Sequence, residues 1–481
     1  MHSAPHVIVC GAGLTGLTTA WQLKRSGARV TVLEASDVVG GVIGSTKLDG
    51  YLIEHGPNSC MLTPELAQLV DALGVTPMLR DAAPSAQRRY IVRDGRALAV
   101  PMSPGAMLRS PLFSAAAKLR LLAEPFIGRR DADTDESVAD FVTRRLGKEV
   151  LTWAVDPFVS GVYAGDPERL SIAHAFPRLA ALEREHGSLI RGAIAAGRRS
   201  RAERAQTGLP APRPRMVSFV DGMGTLPLAI ANDIGADSIQ CGAVVTSVET
   251  DADGVSVTVR RDGTLSTLHA DAVVCTLPLH ALTALQLPNA THDAVAHLRT
   301  LPYPAVASLA LGFRRADVAH ALDGFGCLIP SAEQRKTLGV LFSSTLFDGR
   351  APDGHVLLTC FIGGVRHPAL GTASVQTLVE LVTSDLRALL GVTAAPTFVH
   401  RTSWPAAIPQ YNLGHAAHGR AADAIEALVP GLLVDGQFRR GVSVGDCVAA
   451  GETIAQRALR LDWADDRPSR RSRHHGAPGR C

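Results

Sequence analysis

The sequence predicts an α/β fold: a Rossmann-type nucleotide-binding domain, an α+β domain expected to hold a substrate, and a mainly helical insertion. Three observations carry this reading. His6–Cys10 is a short, uniformly apolar run of the kind buried in a parallel sheet, and Gly11-Ala12-Gly13-Leu14-Thr15-Gly16 follows without a break. Leu14, Leu17, Ala20, Trp21 and Leu23 then recur at helical spacing, and Arg29–Leu33 reads as a second strand closed by Glu34. Residues 85–215 change character: Gln87–Gly95 reads as a hairpin strand turning at Asp94-Gly95, helical stretches follow, and strand patterns return from Met216.

Each part of the opening unit has a physical task. Gly11 permits the tight turn, Gly13 lets the backbone approach a pyrophosphate, and Gly16 lets helix and strand pack closely. Leu14 and Thr15 open the helix, whose free N–H groups and positive dipole end suit phosphate. Glu34 lies 18 residues after Gly16, where a carboxylate can accept from both hydroxyls of an adenosine ribose. A lone glycine motif is weak, but strand, helix and acid in register point to dinucleotide binding.

Composition bounds the rest. A 481-residue chain has ample length for several domains and a large core. The net charge of +3 gives no reason to expect nucleic acid as a partner. Eight scattered cysteines without a C-x-x-C pair argue for reduced thiols in a cytoplasmic setting and against a metal site. The first apolar run is already a sheet strand, so no cleavable leader is expected. No apolar stretch is long enough to span a bilayer. Pro101–Gly128 reads as a helical stretch that mixes Met102, Met107, Leu108, Leu112, Phe113, Leu119, Leu121, Leu122, Phe126 and Ile127 with Arg109, Lys118, Arg120 and, just beyond it, Arg129 and Arg130. It suits either core packing or an anionic bilayer surface, so peripheral attachment at the cytoplasmic face is left open, as is a homodimer. Arg198–Arg215 reads as an exposed loop and 467–481 as a disordered tail.

After Glu34, Gly40-Gly41 forms a tight turn beside the expected cofactor. With this pair the chain resembles the flavin-dependent amine oxidase superfamily, which implies FAD. Relatives place cations where this chain has Val38 and Val42, which implies weaker retention of FAD here. Gly56-Pro57-Asn58-Ser59 resembles the segment that returns under the flavin in protoporphyrinogen oxidases. By the same resemblance, Val244 clamps the adenine through its backbone, and the last long helix, opening at Val444-Gly445-Asp446, points its N-terminus at the flavin. Capping that helix is the plainer task for Asp446. No cysteine lies between His400 and Asp435, where some relatives attach FAD, so non-covalent binding is expected. His55 reads as a loop histidine without chemistry.

The resemblance to protoporphyrinogen oxidases extends over residues 5–465. Asp156-Pro157-Phe158 leads to Gly161, Gly165-Asp166-Pro167 and Leu170-Ser171; Gly324–Pro330, Leu338–Ser344 and Thr359–Gly364 follow, then Ile408-Pro409-Gln410-Tyr411. Gly161 and Gly165 are expected to bring backbone close to a bulky ligand, or else to form a tight interhelical turn. Leu328, Leu341 and Phe361 are implied as apolar walls of the substrate site. Arg89 is implied to face a propionate, with Arg88 and Arg93 as competitors, because guanidinium matches carboxylate bidentately. The resemblance implies oxygen-dependent oxidation of protoporphyrinogen IX to protoporphyrin IX in heme biosynthesis. Six electrons would leave in three two-electron steps, with dioxygen as acceptor and hydrogen peroxide as by-product. No protein side chain is expected as a general base, the chemistry being centred on the flavin.

The expected domains are 1–84, 232–280 and 401–466 for FAD, 196–231 and 281–400 for the substrate, and 85–195 for the insertion. Three rival readings remain. An amine oxidase would carry a lysine where this chain has Ser308. An additional cation facing the cavity would favour a coproporphyrinogen III oxidase. A flavin-holding protein without turnover has only Val38 and Val42 in its favour.

Overall fold

The computed structural model describes residues 4–130, 134–207, 215–251 and 254–461. Its nucleotide-binding core is a five-stranded, all-parallel sheet. The spatial order is Ile239–Gln240, Arg29–Leu33, His6–Cys10, Ala272–Cys275 and Leu432–Val434. The apolar runs are continuous because both faces are covered. Val7, Val9, Val30, Val32 and Val274 face the glycine-loop helix (Leu14–Arg25), the helix Thr225–Ile234 and the C-terminal helix (Val444–Leu459). Ile8, Cys10, Leu33, Val273 and Cys275 face a three-stranded antiparallel meander, Val244–Asp251, Gly254–Arg261 and Thr264–Ala270.

A seven-stranded sheet forms the second body, in the order Phe398–Trp404, Val306–Arg314, His355–Gly363, Thr337–Leu341, Gly326–Leu328, Tyr90–Arg93 and Arg96–Ala99. Its pairs are antiparallel except for Gly326–Leu328 beside Tyr90–Arg93. The amphipathic helix Val375–Leu390 covers one face through Leu378, Val382 and Leu386. The opposite face is covered at one end by Tyr51 and Ile53 of a hairpin from the nucleotide-binding side.

The insertion is a helical layer whose core joins Leu112, Phe113, Phe141, Val142, Val159 and Tyr163. Arg145 is fully buried in it, paired with Glu183 and with Glu124. Glu124 in turn accepts from the N–H groups of Leu189 and Ile190, satisfying the start of the next helix. Arg144 adds bidentate contacts to Glu136 and Glu183.

Several boundaries differ from expectation. The hairpin expected at Asp94-Gly95 forms, with both turn residues at positive φ, but Tyr90–Ala99 is the edge of the seven-stranded sheet instead of part of the insertion. Phe398–Trp404 also joins that sheet, across the expected boundary at 401. Arg198–Thr207 is helical and continues Leu189 onward, since its arginines and alanines are strong helix formers and the prolines come only later. Met216–Phe219 pairs with Cys60–Met61 and Leu79–Asp81 beside the nucleotide-binding domain. Pro101–Gly128 is not continuous: Ser103 and Ser114 each cap a short helix, Pro104–Arg109 and Ala115–Leu122, with Pro111 between them. The tail 467–481 lies outside the described residues.

Candidate active site

The glycine loop is built as its spacing requires. Gly11 has φ +101°, and a Cβ at Gly16 would overlap the Gly11 carbonyl oxygen. Gly13 caps the helix and is different: a Cβ there would meet nothing within 4 Å. Open space therefore lies against the N-terminus of a helix with no acidic residue in its first turn and no side-chain cap, the surroundings an anionic pyrophosphate needs. Glu34 closes the loop, one oxygen accepting from Ala12 N–H at 2.7 Å and the other from Ser36 N–H at 2.9 Å. Gly40 and Gly41 turn at φ +113° and +60°, and Gly40 N–H donates to Ala12 O.

Several other residues expected at the nucleotide lie on segments that pack near this loop. Gly242 and Ala243 donate to Ser36 O and Glu34 O, which brings Val244 beside the end of the second strand. Gly56 passes so close to the Val42 carbonyl oxygen that a Cβ would overlap it. Asn58 follows, its amide donating to Gly56 O at 3.3 Å. At Gly451 the C-terminal helix packs on the glycine-loop helix, where a Cβ would come within 2.8 Å of Thr15 O. Asp446 forms a capping box with Ser443: each side chain accepts from the other's backbone N–H at 3.1 Å. Val38 is 70% exposed, whereas Val42 packs on the core.

The three residues expected to line an apolar wall lie on the face of the seven-stranded sheet away from Val375–Leu390. Leu328, Leu341 and Phe361 are half-buried, and each sits between fully buried neighbours that point to the other face. Phe361 lies opposite Gly339, Gly339 opposite Leu328, and Leu328 opposite Ile91, so one row crosses four strands. Leu341 occupies the adjoining row. Gly161, in the helix Asp156–Tyr163, is exposed and packs over this row: a Cβ there would lie 2.5 Å from Leu328 Cδ2. It is helical, not part of an interhelical turn. Gly165 has another explanation than a ligand: a Cβ would lie 2.6 Å from the Oε1 of buried Gln410. The Gln410 amide donates to Tyr163 O and Ile408 O, tying down the end of the same helix.

The three arginines separate cleanly. Arg88 is ion-paired with Asp323. Arg93 donates to Glu149 at 2.9 Å and stacks over Trp153. Arg89 is exposed, has no acidic partner among the described residues, and lies 5.3 Å from the Phe325 ring centroid. Ile91 is across from Leu328, so Arg89, two residues earlier, falls on the wall side of the sheet.

Other groups escape sequence reasoning because their partners are far away in the chain. Glu54 is buried 3.0 Å from Arg350 and accepts from Met223 N–H; burial pushes its carboxyl up, against the pull of Arg350. Asp156 accepts from Ser331 N–H at 2.8 Å and pairs with Arg366, fixing the start of the wall helix to the sheet. His55 bonds Thr46 Oγ1 through its ring and accepts from Trp404 Nε1 through its carbonyl, a structural role. Ser308 is buried in the same row as Phe361. Among the described residues six cysteines are buried, and burial pushes thiols such as Cys275 and Cys327 up to about 12.

A glycine-loop cradle, a second helix N-terminus and an apolar sheet face suit a nucleotide-dependent enzyme. Residues 14–459 match the family model described as flavin containing amine oxidoreductase, and the chain belongs to that family. Within it, the chain is similar to the mitochondrial protoporphyrinogen oxidase of Nicotiana tabacum, with 35% identity covering 93% of this chain and 94% of the relative. It is also similar to the coproporphyrinogen III oxidase of Propionibacterium freudenreichii subsp. freudenreichii, with 32% identity covering 94% and 90%. Among solved structures, a protoporphyrinogen oxidase candidate from Exiguobacterium sp. 255-15 superposes with a TM-score of 0.78 at 22% identity, covering 95% of this chain and 99% of that one.

Proposed function

We propose that this protein is an FAD-dependent, oxygen-using oxidase of protoporphyrinogen IX, with the cofactor held non-covalently. The observation that carries the reading is a half-buried apolar wall with Arg89 beside it, unpaired among the described residues. A tetrapyrrole with two propionates and otherwise apolar substituents has the same distribution of polarity. FAD would be held by Gly11–Gly16, Glu34, Gly40-Gly41, Gly56–Ser59, Val244 and Val444–Asp446. When bound, it supplies the two-electron acceptor chemistry that no side chain provides. The N-terminus of the C-terminal helix offers N–H groups and a positive dipole end where negative charge would gather. Leu328, Leu341 and Phe361 exclude water and orient the ring, and Gly161 leaves Leu328 the space to do so. Arg89 binds a propionate.

Coproporphyrinogen III, with four propionates, is the second reading, favoured by the Propionibacterium relative. The test compares both porphyrinogens with purified, flavin-loaded protein, following porphyrin fluorescence and peroxide. Preference for protoporphyrinogen IX is expected; preference for coproporphyrinogen III would reassign the substrate. A protein that takes up no flavin would sink both readings. With valine at positions 38 and 42, FAD should also be lost faster on extended dialysis than from a Val38→Arg/Val42→Arg variant.

We also propose that the insertion touches a membrane surface. Met102, Leu108, Leu119, Leu122 and Phe126 are each more than 60% exposed, while Leu112 and Phe113 fill the core. No helix among the described residues is long and apolar enough to cross a membrane, so attachment would be peripheral. Flotation with anionic vesicles should recover the wild type and lose a Leu122→Ser/Phe126→Ser variant; equal recovery would dismiss the surface.

A further inference from the structure

We propose that Asp323 is the positioning residue that aims Arg89 at the substrate. This rests on the porphyrinogen reading above. Alternation puts Arg88 and Tyr90 on the side of the strand opposite Arg89. Asp323 holds both: one carboxylate oxygen accepts from the Tyr90 hydroxyl at 2.6 Å, and the other pairs with the Arg88 guanidinium. The residues flanking Arg89 are thus clamped by a single side chain from another segment, 233 positions away from Tyr90.

The turn that carries Asp323 is itself fixed against the same strand. Phe325 N–H donates to Arg88 O at 2.7 Å, and Val100 N–H donates to Arg89 O at 2.8 Å from the other side. Gly324 leaves no room for a side chain, since a Cβ would lie 2.7 Å from Arg88 O and 2.8 Å from the Tyr90 ring. The next residue, Phe325, supplies the ring beside the Arg89 guanidinium. Three consecutive residues therefore anchor the two neighbours of Arg89 and offer its side chain a platform. A long, exposed cation gains affinity when it is ordered before the carboxylate arrives.

Exposure distinguishes this role from scaffolding. The Asp323 and Arg88 side chains are 40% and 54% exposed, and an ion pair so open to water contributes little to stability. Its loss should therefore appear in substrate binding while the fold is retained.

The test compares wild type, Asp323→Ala and Asp323→Asn as flavin-loaded proteins. The substrates are protoporphyrinogen IX and its dimethyl ester, which lacks the carboxylates. For Asp323→Ala, KM for the diacid should rise roughly three- to ten-fold, the cost of ordering one long side chain during binding, with kcat little changed. Flavin content should match wild type and melting temperature should fall by only about a few degrees, the cost of the lost hydrogen bond to the Tyr90 hydroxyl, and Asp323→Asn, which keeps hydrogen-bonding atoms, should fall between. The rise should vanish with the dimethyl ester and in an Arg89→Ala background. An unchanged KM for the diacid overturns the proposal, as does an equal rise with the ester or without Arg89. If wild type oxidises neither porphyrinogen, the parent reading fails and this one with it; normal wild-type turnover with an unaffected variant rejects Asp323 alone.

Discussion

Arg89 and Gly161 show how single positions shape the wall. Arg89→Ala removes a charge-assisted contact of about 1.5–3 kcal/mol, so KM should rise about ten- to a hundred-fold with flavin content intact. Loss of flavin in that variant would instead make Arg89 structural. Gly161→Ala sets a Cβ against the far end of Leu328, a flexible side chain that can turn aside. The protein should fold normally but bind substrate less tightly as Leu328 moves into the cavity. A double variant with Leu328→Val should recover part of the affinity, which steady-state kinetics would reveal.

At the scale of elements, the insertion depends on charge as much as on apolar packing. Arg145 is fully buried, and Glu183 reaches both Arg144 and Arg145. Glu183→Ala leaves a buried guanidinium short of its partner, and the expected loss of stability is about 3–5 kcal/mol. Denaturant titration would measure it; a change below about 1 kcal/mol would mean that water or Glu124 compensates. The wall helix Asp156–Tyr163 is tied at one end by Arg366 and Ser331 and at the other by Gln410. Helical periodicity marks the helix, but these ties decide where Gly161 sits over Leu328.

For the whole molecule, a histidine cluster between the insertion and the nucleotide-binding domain predicts the acid limit. Burial, then His174 and His418, lowers His415 to about 4, and its Nε2 lies 2.9 Å from Phe438 O. A histidine depressed below its unfolded value binds fewer protons in the folded state. Its stabilising contribution is thus complete above pH ~6.5 and is lost as pH falls toward 4, by about 3 kcal/mol in total. Melting temperature measured over that interval should fall less steeply in His415→Gln than in wild type. Parallel curves would assign the acid sensitivity elsewhere.

The sequence by itself determined the nucleotide cradle, because that chemistry is local. Gly11, Gly13, Gly16, Glu34 and Gly40-Gly41 act within a few turns of one another, and backbone geometry restricts which residues can stand there. It also marked Leu328, Leu341 and Phe361, though only through family-like motifs, since each in isolation reads as core. Tertiary structure alone decided that these three share one open face, because strand register joins segments that carry no mutual signal. It likewise decided which arginine has no acidic partner among the described residues, through Asp323 and Glu149, and that Gly165 packs against Gln410. Such choices depend on partners dozens to hundreds of residues away, which only the folded chain brings into contact.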